Sequence, residues 1–134
     1  MKKIALFILL FSISLFAGVK DLDIESFEKI KREGVPVIDI RTPQEWRETG
    51  VIEGSHTIMF FDRSGRYDLK SFLERLSALG IDKNRPFVLV CRSASRTKMV
   101  GDFLADKMGY KKVFELEGGI LNWKRHNKPL VPPK

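Results

Sequence analysis

Residues 87–96, Phe87-Val88-Leu89-Val90-Cys91-Arg92-Ser93-Ala94-Ser95-Arg96, decide how the rest of the chain is read. Four consecutive apolar residues leave no side for water, so FVLV is a strand buried on both faces. The small and polar residues that follow form a short turn. Val100, Phe103, Leu104 and Met108 then recur at helical spacing from a start near Arg96, and Gly109 ends that helix. The segment is therefore a strand, a loop and a helix, with Cys91 at the carboxyl end of the strand.

Working outward, the same alternation recurs. Ile24, Phe27 and Ile30 share a helical face closed by Gly34, and Val35–Ile40 (VPVIDI) is a buried strand. Pro43 suits the first turn of a short helix through Glu48, stopped by Gly50. An extended segment around Thr57–Phe61 leads into the polar turn Asp62–Arg66. Leu69, Phe72, Leu73, Leu76 and Leu79 mark a strongly amphipathic helix with Gly80 behind it. Val113–Leu116 reads as a last strand before a short helix around Ile120–His126. Strands this apolar, separated by helices, predict an α/β fold: an open parallel sheet with helices on both faces. Ligands in such sheets bind beyond the carboxyl ends of the strands.

The chain has 134 residues, a formal net charge of +7 and one cysteine. That length suits one core of ordinary size, and the lone cysteine excludes an intrachain disulfide and a multi-cysteine zinc site. Lys2 and Lys3 precede the uncharged run Ile4–Ala17, which is shorter than the roughly 20 residues that cross a bilayer. Residues 1–17 are expected to be a signal peptide cut near Ala17 and Gly18, and 18–134 the functional domain. An uncleaved anchor is the alternative. The expected compartment is the periplasm.

Cys91 carries the functional reading. A turn entering a helix aims several backbone N–H groups at one point and, with the helix dipole, binds anions. A thiolate is such an anion, and nearby arginines favour it; Arg92 and Arg96 are the candidates. The competing reading makes Cys91 a small, inert core residue. Asp39 and Arg41, at a second strand end, fit an ion pair that fixes loops better than a catalytic acid and a substrate clamp. Arg63 and Arg66 are candidates for the same rim as Cys91, or for a solvated turn. His56 and His126 stand apart from any ligand spacing, Trp46 and Trp123 read as packing, and Lys111-Lys112 is too short a run for a nucleic-acid footprint.

Three stretches, in order, resemble the rhodanese-like family of single-domain thiosulfate sulfurtransferases. They are Val37–Trp46 with Gly50–Ser55, the loop Cys91–Arg96, and Leu116–Trp123. The resemblance spans about Val19–Leu130. It implies a rhodanese-like sandwich in which the Cys91 thiolate takes the outer sulfur of thiosulfate, releases sulfite and holds the sulfur as a persulfide. Cyanide or a thiol, including that of a thioredoxin-like protein, then accepts it. Arg92, Ser93, Ala94, Ser95 and Arg96 form the implied anion cradle, with Asp39 and Arg41 in support; no metal or organic cofactor and no nucleic acid is implied.

The chain departs from the family pattern at Ala94, where many members carry glycine, and at Val51, where histidine is common. Left-handed backbone at Ala94 costs roughly 1 kcal/mol relative to glycine. Related phosphatase and arsenate-reductase loops run one residue longer and would place their arginine at position 97, which is Thr97. A non-catalytic binding module or persulfide carrier on the same fold is the remaining alternative.

Overall fold

The computed structural model describes residues 18–134. The expected signal peptide, residues 1–17, lies outside them. Among the described residues five strands form one parallel sheet: β1 (Lys20–Leu22), β2 (Val37–Asp39), β3 (His56–Thr57), β4 (Phe87–Val90) and β5 (Val113–Leu116), in spatial order β1-β5-β4-β2-β3. The five helices are α1 (Ile24–Arg32), α2 (Pro43–Thr49), α3 (Leu69–Ala78), α4 (Ser95–Asp106) and α5 (Gly119–Arg125).

The central strand β4 shows why FVLV has no polar position. Successive side chains point to opposite faces. Phe87, Leu89 and Cys91 join the cluster closed by Phe72 and Leu76 of α3 and by Val100 and Leu104 of α4. Val88 and Val90 join the other, closed by Ile24 and Phe27 of α1 and by Ile120 and Trp123 of α5. Both faces of the sheet are thus covered, as the unbroken apolar runs predict, and the fold is the expected α/β sandwich.

Local chemistry starts the helices where they are needed. Asp23 and Asp68 accept from the amides of Ser26 and Ser71 at the N-termini of α1 and α3. Thr42 and Glu45 form a reciprocal capping box on α2, whose first residue is Pro43.

The structure corrects several boundaries and adds two features. The strand read over 35–40 pairs only over Val37–Asp39, and the segment read over 57–61 forms β3 at His56–Thr57. Beyond it the chain still donates from Ile58 to the Asp39 carbonyl and from Phe60 to that of Ile40. The last helix begins one residue early, at Gly119. Strand β1 was not foreseen: Lys20 and Asp21 are exposed and show no apolar alternation, so it exists by pairing with β5. The C-terminal tail also returns to the segment after α2, where Val51 and Val131 exchange two backbone hydrogen bonds of 2.8 Å.

Candidate active site

The sheet puts the ends of β2 and β4 side by side, since Val37, Ile38 and Asp39 pair with Val88, Leu89 and Val90. Cys91 follows at once, is fully buried, and is the one cysteine of the chain. Its thiol donates to the Thr97 hydroxyl oxygen at 3.6 Å, and that hydroxyl donates to the Ala94 carbonyl at 3.1 Å. Thr97, in the first turn of α4, is also fully buried.

Helix α5 fixes the loop from outside. The amides of Ile120 and Leu121 donate to the carbonyls of Cys91 and Arg92 at 2.9 and 3.0 Å. A trans peptide is planar, so the N–H groups of Arg92 and Ser93, which share those peptide units, face away from α5. Among the described residues nothing accepts a hydrogen bond from the amides of Arg92, Ser93, Ala94, Ser95 or Arg96. Partnerless amides on a turn that enters a helix form a concavity suited to negative charge.

This contact also explains the second of the paired glycines of Leu116–Trp123. A Cβ at Gly119 would lie 2.4 Å from the Cys91 carbonyl oxygen and 2.7 Å from the Arg92 carbonyl carbon. No side chain fits between α5 and the loop. On the other side, Ala94 caps α4 with φ 75° and ψ 0°, so the loop keeps the left-handed turn without the glycine common at that place.

The two arginines of the loop differ. Arg92 is exposed and has no partner among the described residues. Arg96 is half-buried and forks onto Glu45, its two terminal nitrogens 2.7 and 2.8 Å from the carboxylate oxygens. That hydrogen-bonded guanidinium, with further help from Thr42, holds the Glu45 carboxyl down to about 2 despite its burial. Arg96 is in turn held above its ordinary value, first by Glu45 and more weakly by the charges of Cys91 and Asp39. Arg96 was expected to hold the donor together with Arg92. The structure pairs it with Glu45 in the first turn of α2 and leaves Arg92 as the exposed cation. Ser93 and Ser95 are exposed, with their hydroxyl oxygens 3.3 Å apart.

Asp39 and Arg41 form a closed unit one strand away. Both are 1% exposed. The Arg41 Nε and Nη2 donate to the Asp39 carboxylate at 3.0 and 2.8 Å, Nη1 donates to the Thr49 hydroxyl at 2.7 Å, and Nη2 also reaches the Gly50 carbonyl at 2.8 Å. Trp46 adds an indole hydrogen bond to Asp39 Oδ1 at 3.1 Å, so it does more than pack. The pair staples the middle and the C-terminal end of α2 to the end of β2. Arg66 is not brought to the Cys91 loop: it lines a separate cleft with Tyr67, Asp68 and Arg75.

Thr97 and Glu45 are site residues that the sequence reading passed over. The second carried a usable signal, since Thr-x-x-Glu ahead of a helix is a capping box whose carboxylate sits at a helix start.

Residues 24–126 match the rhodanese-like domain family. The chain belongs to the rhodanese-like family. It is 32% identical over 118 residues to a sulfurtransferase of Allochromatium vinosum, covering 87% of this chain and 98% of that protein. It is 33% identical over 103 residues to the putative sulfurtransferase YtwF of Bacillus subtilis, covering 76% and 86%. The solution structure of a polysulfide-sulfur transferase from Wolinella succinogenes superposes with a TM-score of 0.62 at 22% identity, over 87% of this chain and 80% of that one, and shares the fold. The rhodanese-like chain is a sulfurtransferase-type enzyme.

Proposed function

We propose that this rhodanese-like domain moves a sulfane sulfur from thiosulfate or a related anionic donor to cyanide or a thiol, through a persulfide on Cys91. The observation that carries this reading is the loop itself: the chain's one thiol at the carboxyl end of the central strand, followed by five amides without partners. The Cys91 thiolate attacks the outer sulfur; the bond to the sulfonate sulfur breaks, and sulfite leaves with its electron pair. The new terminal sulfur carries the negative charge into the amide concavity, where preorganised donors stabilise it. A thiolate or cyanide then attacks that sulfur and returns the Cys91 thiolate. Arg92, exposed and unpartnered, meets the anionic donor; Arg96, Asp39 and Arg41 hold the frame. Ser93, Ala94 and Ser95 contribute backbone, and neither a metal nor an organic cofactor enters the cycle.

Export through residues 1–17 would place the domain in the periplasm, with a thioredoxin-like protein as a fitting thiol acceptor. N-terminal sequencing of the secreted protein tests the cleavage. For the chemistry, thiosulfate:cyanide transfer is measured on wild type and Cys91→Ser, with mass spectrometry of the donor-treated protein. The expected result is a gain of one sulfur atom by wild type alone. A wild-type protein that never gains sulfur from any sulfane donor overturns the reading and leaves the binding module.

A further inference from the structure

Near the Cys91 loop the chain leaves apolar surface uncovered. Met99 and Tyr67, 62% and 59% exposed, are the large apolar side chains open to solvent among the described residues. They line the same cleft, Met99 from α4 and Tyr67 from the segment between β3 and α3. Its volume is about 230 Å³, and Phe60, Phe61, Val100 and Phe103 complete a lining without a charged side chain. The aromatic side is packed in advance: Tyr67 stacks on Phe60 with ring centres 5.3 Å apart, and Phe61 meets both edge-on at 4.8 and 5.7 Å. Rings braced in this way lose little freedom when a guest arrives. Exposed apolar surface gathered in one hollow marks a place where another molecule sits.

The cleft lies toward the carboxyl end of the sheet, where Cys91 is. The Phe60 amide donates to the Ile40 carbonyl and the Ile40 amide to the Val90 carbonyl, so Phe60 stands two chains across from the end of β4, about 10 Å at the usual strand spacing. Phe60, Val100 and Cys91 belong to one buried cluster. Met99 follows Ser95 by one turn of α4, about 6 Å along its axis. Thiosulfate or cyanide at the loop does not span that gap, so an occupant of both places is a larger molecule.

The surrounding charges select its kind. Arg63, Arg66 and Arg92 are exposed and form no ion pair among the described residues. Arg66 and Arg75 line the adjoining hollow, which shares Phe60 and Tyr67 with the cleft. The acids of the same rim, Asp62 and Asp68, are outnumbered, and both are taken up by backbone amides, of Ser64 and Arg66 and of Ser71. A basic rim around an uncharged centre complements a protein surface with an apolar centre and acidic surroundings. A second copy of this chain fits poorly, because a two-fold contact sets the same arginines against each other. A bilayer takes up a projecting apolar face, and here the apolar side chains line a hollow.

We propose that this cleft docks the sulfur acceptor, a protein that presents its thiol with an apolar side chain about 10 Å away and acidic residues around both. The purpose rests on sulfur transfer through Cys91; the docking is read from Met99, Tyr67 and the arginines. The apolar side chain enters beside Met99 and Tyr67, which brings the acceptor's thiolate to the loop. That thiolate attacks the terminal sulfur of the Cys91 persulfide. A new S–S bond forms, the bond to Cys91 breaks with its electron pair on Cys91, and the acceptor leaves as the persulfide.

The probe is a synthetic peptide with one cysteine, a tryptophan roughly three residues from it to match that reach, and glutamates elsewhere. A second peptide carries alanine for the tryptophan, and a third carries lysines for the glutamates. Serine-for-cysteine forms of all of them are titrated into Cys91→Ser protein by calorimetry, which needs no sulfur chemistry. Transfer from thiosulfate to the cysteine peptides and to cyanide is then measured on wild type, Met99→Glu and Tyr67→Ala. The acidic tryptophan peptide is expected to bind, and to accept sulfur, about tenfold better than the others. Met99→Glu removes that advantage and leaves cyanide transfer unchanged, and Tyr67→Ala reduces it several-fold. Equal binding of the peptides overturns the proposal, as does a folded Met99→Glu that lowers peptide and cyanide transfer alike. Should Tyr67→Ala fail to fold, Met99→Glu decides, since its side chain stands in solvent. Selective binding without any transfer supports the docking and overturns the transfer reading instead. Met99-dependent self-association in light scattering, or Met99-dependent sedimentation with phosphatidylglycerol vesicles, overturns the proposal if the peptides bind alike, and gives the cleft to a second copy or to a membrane.

Discussion

The carboxyl ends of β2 and β4 lie side by side in the sheet and treat polar groups in opposite ways. At the end of β2, Asp39 and Arg41 are buried, and they find partners in each other, Trp46, Thr49 and Gly50. After β4, the side chains are mostly exposed and the backbone amides are left without acceptors. Neighbouring positions in one fold thus separate two uses of polarity. Where every donor is matched, the polar groups hold the structure; where donors converge unmatched, they await a charge.

The sharpest way to break this contrast is to open the closed end. Arg41→Ala leaves the Asp39 carboxylate buried beside unmatched partners, and the expected cost is about 3 to 5 kcal/mol, measured by urea unfolding. A loss under about 1 kcal/mol would mean that the β2 end is not the closed unit described. Next comes the contact that shapes the open end. Gly119→Ala drives a methyl group into the Cys91 and Arg92 carbonyls, so it should reduce sulfur transfer about tenfold or more and lower the unfolding midpoint. Both effects are read on one preparation by kinetics and thermal unfolding.

Arg92→Ala should do the reverse of Arg41→Ala. It leaves the unfolding midpoint unchanged within about 0.5 kcal/mol and raises KM for thiosulfate several-fold, with a smaller change in kcat. The carboxyls give opposed pH dependences. Glu45, held down to about 2 by Arg96, stabilises the native state above the usual carboxylate range, and that contribution is lost as pH falls through 2. Glu115, pushed up by burial to about 7, binds its proton more tightly in the folded chain, so stability falls as pH rises between about 4.5 and 7. Urea midpoints against pH should show both slopes; Glu45→Gln removes the acidic one and Glu115→Gln the other. The smallest effect is at Ala94: glycine relieves the left-handed backbone and should stabilise the protein by under about 1 kcal/mol.

Much of this arrangement is legible along the chain. FVLV announces a strand covered on both sides, and the spacing of Phe72 and Leu76 gives the face that α3 buries. The Cys91 loop is recognisable because its residues are contiguous. What escapes the sequence is what depends on distant partners. Glu45 stands 51 residues from the Arg96 it neutralises, so the loop looks more cationic on paper than it is. Strand β1 carries two exposed charged residues and is strand only because β5 lies beside it. Glu115 interrupts an otherwise apolar strand, and its burial becomes visible only when β1, α4 and β4 close around it.

The hold of α5 on the carbonyls of Cys91 and Arg92 divides labour between backbone and side chain. In the proposed cycle the donors that meet the transferred sulfur are main-chain atoms, and their direction is set by a helix outside the loop. The side chains of Arg92, Ser93 and Ser95 face solvent and take no part in that framing. Replacing them would alter which molecules approach without disturbing how the sulfur is received. A lineage carrying this frame can therefore explore new donors by point substitution at three outward positions while its reaction centre stays intact.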